Sequence, residues 1–340
     1  MIDQKVKIAI IGLGKMGISH LAILNAHPAL EVVGVCDTSG IVMEALKQHS
    51  VFECFTDYKK MVDKVRPEAV LIATPTKLHF EMARFALERG LHVFMEKPFT
   101  LNMSQGEELV RLADARNLVT QVGYHNRFIG VFNEVKRLVD LGALGEVYHF
   151  VAESYGPVVT RKKEETWRSN PSEGGGCLLD YTSHVVDLLQ FVLGRVDTVD
   201  GSTLKKIYST SVEDAVYSTL HLDSGISGFL SVNWSDETYR KMSTQLTIIG
   251  MSGKLVADAQ EMKVYFKTAP AIPGYEKGWN VKYITDLTPG VDFYLRGEEY
   301  SAQIDYFARC IQNRNAHGIS TFRSALETDR VLNLLRTYTQ

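Results

Sequence analysis

Short apolar runs and helical patterns alternate through the first third of the chain. Val6-Lys7-Ile8-Ala9-Ile10-Ile11 has the length and composition of a strand and leads directly into Gly12-Leu13-Gly14-Lys15-Met16-Gly17, after which Leu21, Ile23 and Leu24 recur at helical spacing. A second strand, Glu31 to Cys36, follows, then helices near 40–49 and over Tyr58 to Val65, set off by Pro67 from a strand over Ala69 to Ala73. His79 to Arg89 predicts a helix stopped by Gly90, Leu91 to Met95 a strand, Met103 to Arg116 a helix and Leu118 to Val122 a strand. Repeated βα order implies a parallel, doubly wound sheet with right-handed crossovers.

Beyond residue 123 the period changes. Phe132 to Leu141 predicts a helix and Val147 to Tyr155 a strand, before a glycine-rich segment and a helix running to Leu193. From Asp197 to Phe266 the pattern is mostly β, with strands over Val212 to Leu222, Ser227 to Trp234, Gln245 to Ile249 and Met262 to Phe266, whose short joints favour an antiparallel sheet. Residues 268–298, with three prolines and four glycines, predict a long surface excursion, and two helices close the chain. The fold expected is α/β: a Rossmann domain over 1–123, then an α+β domain over 124–340 with a large, open, mostly antiparallel sheet for substrate binding and oligomerisation. Val216, Leu220, Leu222, Phe229, Leu230, Val232 and Trp234 fall in both alternating sets, which predicts an apolar open face covered by another sheet in a homodimer or homotetramer.

The chain has 340 residues, enough for about two domains, and 45% of them are hydrophobic, enough for large cores. A formal charge of −3 without a basic run argues against a sequence-independent hold on nucleic acid. No apolar run is long enough to span a membrane and the N-terminus lacks a signal-peptide core, so a cytoplasmic protein is expected. Cys36, Cys54, Cys177 and Cys310 are too scattered for a disulfide framework or a zinc site, so reduced thiols and no metal are expected.

Two motifs carry chemistry. Gly12, Gly14 and Gly17 match G-x-G-x-x-G between a strand and a helix: the first permits the tight turn, the second lets backbone approach a pyrophosphate, and the third lets helix pack on strand. The helix N-terminus offers free N–H groups to the phosphates, with Lys15 and Met16 expected along the cofactor. Asp37 stands twenty residues beyond Gly17, where an acid holds a ribose; with Thr38 and Ser39 and no arginine beside it, NAD is favoured over NADP. The other motif is Gly174-Gly175-Gly176…Asp180…His184…Asp187. If Leu178 onward is helical, Asp180 and His184 share one face, either as a proton-transfer pair or as an ordinary satisfied polar contact. The strand-end rule adds Thr74-Pro75 and Glu96-Lys97-Pro98 to the cofactor crevice.

Taken together, the glycine loop, Glu96-Lys97-Pro98 and the Gly174 to Asp187 run resemble the glucose-fructose oxidoreductase, inositol dehydrogenase and rhizopine catabolism (Gfo/Idh/MocA) family over essentially the whole chain. The resemblance implies oxidation or reduction of a sugar, cyclitol or related polyol with a pyridine nucleotide, with Lys97, Asp180 and His184 as the catalytic set and Thr74, Pro75 and His79 in the cofactor-contacting loop, although His79 also suits a helix start. It also departs in one place: the family often has glycine just after the acid, whereas this chain has Tyr181-Thr182-Ser183. In this reading His184 takes the hydroxyl proton, Lys97 stabilises the alkoxide and Asp180 orients a neighbouring hydroxyl, or Lys97 is the base and His184 a relay. Tyr124, Asn126, Trp167 and Arg168, in polar-aromatic clusters, are expected at the substrate, and Arg161-Lys162-Lys163 is either a solvated loop or an attractor of acidic sugars. The alternatives are an NAD-retaining glycosidase or sugar–sugar oxidoreductase, and an NAD-binding sensor without turnover.

Overall fold

The apolar runs of the first third become six parallel strands in the computed structural model, which describes residues 5–49, 52–162 and 166–338. Strands β1 (Val6–Ile11), β2 (Leu30–Cys36), β3 (Glu53–Phe55), β4 (Ala69–Ile72), β5 (His92–Met95) and β6 (Thr120–Val122) lie in the order β3-β2-β1-β4-β5-β6. Helices α1 (Lys15–Ala26), α2 (Gly40–His49), α3 (Tyr58–Val65), α4 (His79–Glu88) and α5 (Met103–Ala115) connect them. Because both faces are covered, neighbouring residues of one strand enter different cores: Val70 and Ile72 join one apolar cluster, Ala69 and Leu71 the other. This strand order reverses between β1 and β4, so the glycine loop and Thr74-Pro75 flank the switch point where dinucleotide folds bind ligand.

The second part of the chain contains α6 (Gly130–Asp140), β7 (Val147–Tyr155), α7 (Ser183–Leu193), β8 (Val196–Lys205), β9 (Ala215–Leu222), β10 (Ser227–Asn233), β11 (Ser243–Gly250), β12 (Gly253–Ala257), β13 (Glu261–Phe266) and β14 (Gly278–Tyr283). The eight strands form one sheet in the order β14-β13-β12-β11-β7-β10-β9-β8, antiparallel at every step except β7 beside β10. Helices α6 and α7 pack on one face. Burial alternates accordingly: every second residue of β11 is buried and those between are half-exposed.

Three expectations need correction. The chain divides into one compact unit of Met1–His125 with Gly290–Leu326 and another of Asn126–Pro289 with Glu327–Gln340, not at residue 123 alone. The reason is apolar burial: after α8 (Ile284–Leu287), helix α9 (Glu298–Gln312) drives Ile304, Phe307 and Ile311 into the first unit's core, with Phe307 edge-on to Phe94 at 5.8 Å. The first turn of α10 (Phe322–Thr337) adds Phe322 and Ala325. Second, 268–298 is not a plain excursion. The alternation in Gly278–Tyr283 pairs it with β13 as the edge strand β14, and Tyr275 is buried. Third, the apolar residues of β9 and β10 do not populate both faces. Register pairs Leu230 with Ser218 and Val232 with Val216, so six of the seven named residues share the buried face and only Phe229, 54% exposed, lies on the other.

That open face still carries a row of four apolar residues interrupted by Thr247 and Lys263. Phe229 pairs with Val151, Val151 with Thr247, Thr247 with Val256, Val256 with Lys263, and Lys263 with Val281. All four cysteines are free thiols, and burial pushes Cys36 up to about 12 and raises Cys177 and Cys310 as well, which keeps those three unreactive.

Candidate active site

In the first unit the candidate residues gather at the carboxyl ends of the strands. Gly12 has φ of 93°, and a Cβ there would stand 2.7 Å from the carbonyl oxygen of Ala73. A Cβ on Gly17 would collide with the carbonyl oxygen of Gly12, whereas one on Gly14 would meet no protein atom within 4 Å. The glycines thus divide as the fingerprint requires: two for packing, one for a backbone open to close approach. Helix α1 starts with Gly14 as N-cap, without a side-chain cap or an acid in its first turn, so protein groups do not compete there with a bound anion. Lys15 is exposed and Met16 half-buried at this mouth. At the end of β2, Asp37 accepts from Leu13 N at 2.6 Å and from Ser39 N at 2.7 Å, which pins its carboxylate to the glycine loop. These features fit a dinucleotide: a cradle without side chains, uncapped N–H groups and a fixed acid.

Thr74 is half-buried and Pro75 exposed in the loop after β4. His79 is only 1% exposed; its Nδ1 lies 3.0 Å from the carbonyl oxygen of Pro98 and its Nε2 3.0 Å from that of Thr74. Its side chain therefore faces the loops and influences any cofactor through them. Glu96 is likewise turned inward, with Oε1 2.5 Å from His20 Nε2, and burial works against its ionisation while the His20 contact and Lys97 hold its carboxyl below the usual range. Lys97 is half-buried beside it. His125 stacks on Tyr300 at 5.0 Å, and burial pushes its imidazole down to about 4, with Glu96 opposing and Lys97 and Arg296 assisting. Burial also raises Tyr300 to about 12. His20, Tyr300 and Arg296 were not identified from the sequence. The only signal for His20 was a polar residue on the buried face of α1. Tyr300 and Arg296 carried none, because they come from the returning C-terminal segment. Tyr124, expected at the substrate, is instead fully buried in the apolar cluster that contains Phe99 and Phe322.

In the second unit, residues Leu178–Thr182 form a π turn that runs into α7. An α-helix has 3.6 residues per turn and a π turn, closing i to i+5, more than four; a spacing of four lies between and keeps Asp180 and His184 on one side. Both are buried, at 7% and 4% exposure. Glu213 fixes the start of the turn by accepting from Leu178 N at 2.8 Å, and Gly176 leaves room for it: a Cβ there would collide with the Glu213 carboxylate. Arg168 donates from Nε to Asp180 Oδ2 at 3.1 Å, and its guanidinium lies 4.4 Å from the ring centre of Trp167, which is 43% exposed. The structure thus joins three sequence-selected residues, Trp167, Arg168 and Asp180. Asn126 is buried, and its Nδ2 has no hydrogen-bond partner among the described residues. Arg127 and Asp187, by contrast, form a buried bidentate pair at 2.7 and 2.6 Å, a structural contact. Arg161 and Lys162 are exposed; Lys163 lies outside the described residues.

Comparison with known proteins agrees with these two parts. Residues 6–124 match the model of an oxidoreductase family with an NAD-binding Rossmann fold, and residues 132–256 match the Gfo/Idh/MocA C-terminal domain. D-glucoside 3-dehydrogenase of Escherichia coli is 26% identical over 273 residues, covering 74% of this chain and 75% of the relative. The NAD(+)-linked scyllo-inositol 2-dehydrogenase of Bacillus subtilis is 23% identical over 320 residues, covering 92% and 87%. A levoglucosan dehydrogenase solved in complex with NADH shares the fold with a TM-score of 0.88 at 19% identity, over 98% of this chain and 97% of that one. No described helix is long and apolar enough to cross a membrane. With both parts of the chain matched, the protein belongs to the Gfo/Idh/MocA oxidoreductase family, which has an NAD-binding Rossmann fold.

Proposed function

We propose that this protein oxidises a secondary hydroxyl of a sugar, cyclitol or related polyol with NAD. The observation that carries this reading is the intact proton-handling set: Lys97 at the strand end of the first unit, and, in the second, Asp180 on the buried π turn with His184 in the first turn of α7. A sensor without turnover would have no use for that set. The glucoside and inositol dehydrogenases among its relatives act on compounds of the same chemical class. NAD, when bound, supplies the hydride acceptor. His184 takes the hydroxyl proton or relays it from Lys97, and the Lys97 ammonium otherwise stabilises the developing alkoxide. Asp180, steadied by Arg168, accepts from a neighbouring hydroxyl and orients the ring, while the buried Asn126 amide and the exposed face of Trp167 offer a donor and an apolar platform.

Asp37 supports NAD over NADP, since a 2′-phosphate beside its carboxylate meets like charge and neither Thr38 nor Ser39 can neutralise it. The open sheet face, with Phe229, Val151, Val256 and Val281 in one row, supports pairing with a second copy in a homodimer or tetramer. The test is NADH formation against a panel of hexoses, glycosides, inositols, sugar acids and nucleotide sugars, with NAD and NADP in parallel. Turnover of at least one polyol is expected, with NAD preferred by roughly tenfold or more. NAD that remains bound through purification, with no NADH released on any substrate, would replace this reading with a retained-cofactor enzyme.

A further inference from the structure

The segment Glu96–Lys97–Pro98–Phe99 is gripped from two helices by buried imidazoles. On one side, His20 of α1 is 0% exposed and packs edge-on to Phe94 at 5.4 Å. Its Nε2 stands 2.5 Å from Glu96 Oε1, while Glu96 Oε2 accepts from Lys97 N at 3.3 Å. Gly123 backs this carboxylate so closely that a Cβ there would stand 3.1 Å from Oε2, so the carboxylate has little room to swing. On the other side, His79 of α4 places Nδ1 3.0 Å from the carbonyl oxygen of Pro98 and 3.3 Å from that of Phe99, with Nε2 3.0 Å from that of Thr74, so the one N–H of a neutral ring is shared out among these carbonyls. Lys97 is the residue between the two grips.

Packing alone does not call for histidine at either position. A phenylalanine or leucine would fill the space without burying polar atoms, each of which costs about 1–3 kcal/mol when unpartnered. His20 bears such a cost: its Nδ1 is buried with no hydrogen-bond partner among the described residues. What the imidazole provides in exchange is the contact to Glu96, 76 residues away. A buried polar group retained against local stability, with its other nitrogen on the neighbour of a reacting residue, is the pattern expected of groups that orient a site.

We propose that His20 and His79 are positioning residues for Lys97: they lock the turn from both ends so that its amine is presented in one direction, and touch neither cofactor nor substrate themselves. This rests on the role given to Lys97 above. Four full-length variants test it. His20→Phe and His79→Phe keep a ring and remove the polar contacts; His20→Gln restores an N–H donor near the position of Nε2; Lys97→Ala tests the underlying reading. Two quantities are measured: the rate at which acetic anhydride acetylates Lys97, by mass spectrometry relative to Lys136 and Lys254 of the same sample, and turnover of the best panel substrate beside NADH affinity. Both Phe variants should change the relative acetylation rate of Lys97 by about threefold or more and lower kcat by roughly tenfold to a hundredfold, with NADH affinity within about threefold. His20→Gln should recover most of both.

Wild-type acetylation rates for Lys97 in both Phe variants would overturn the proposal, as would a His20→Gln variant as impaired as His20→Phe. If His79→Phe does not fold, the two His20 variants decide. Near-normal turnover in Lys97→Ala would remove Lys97 from the reaction, while the acetylation rates would still show whether the imidazoles hold the turn. The two failures are thereby distinguishable.

Discussion

Strand β4 buries all four of its residues, whereas β11 buries every second one. The first belongs to a sheet covered on both faces, which has only its strand ends to offer a ligand; there the glycine loop, the Thr74 loop and the Lys97 turn gather. The second belongs to a sheet with helices on one face and an apolar row on the other. The candidate residues Asp180 and His184 lie off the sheet, on the π turn and in the first turn of α7, so the proposed chemistry makes no use of the open face. Coverage of the faces thus decides which surfaces are available for function.

A charge placed on each sheet should have very different consequences. Leu71→Asp would bury an unpaired carboxylate between β1 and β5 and should cost at least about 4 kcal/mol, read as a fall in the denaturation midpoint of the first unit. A loss below about 1 kcal/mol would mean that this face is not sealed.

A smaller effect should come from His125. Its folded-state value of about 4 lies below the ordinary 6.5, so the unfolded chain takes up the proton first as pH falls. The stability it contributes is complete above pH 6.5 and is lost on the way down through about pH 4, roughly 3 kcal/mol in total. His27, His79 and His92 are also lowered by burial and add to the wild-type slope, so the informative quantity is a difference. His125→Phe should flatten the pH dependence of thermal stability over that window; an unchanged slope would contradict the buried, neutral state.

The smallest effect on folding should come from Phe229→Glu on the open face, within about 0.5 kcal/mol for the separate chain. The same substitution should lower the mass seen by light scattering from an oligomer towards 38.1 kDa. An unchanged oligomer would move the interface elsewhere.

The same contrast governs what could be read from the sequence. Strands buried on both faces are continuous apolar runs bounded by glycine and proline, so β1, β2, β4 and β5 were legible almost to the residue, as was the glycine loop between β1 and α1. In the open sheet, which face a residue takes depends on pairing. Phe229 and Leu230 differ by one position in an apolar stretch, and only the register with Ser218 and Val151 separates them. Strand β14 was hidden because the prolines and glycines around it signal loop, while its Trp279, Val281 and Tyr283 alternate on the exposed side. The Asp180–His184 spacing was visible, but not the π turn that carries it or the Glu213 contact that starts it. His20 and Tyr300 reach the Lys97 turn only through tertiary packing, and local sequence patterns do not encode such distant pairings.

If Lys97 and His184 handle the proton and the developing charge in an NAD-linked oxidation, as proposed above, removing either side chain should stop the reaction without disturbing the cofactor. Turnover of Lys97→Ala and His184→Ala, measured beside NADH affinity with the best panel substrate, should be lower by at least roughly a hundredfold in each, with NADH affinity within a few-fold of wild type. Near-normal turnover in either variant would contradict that role.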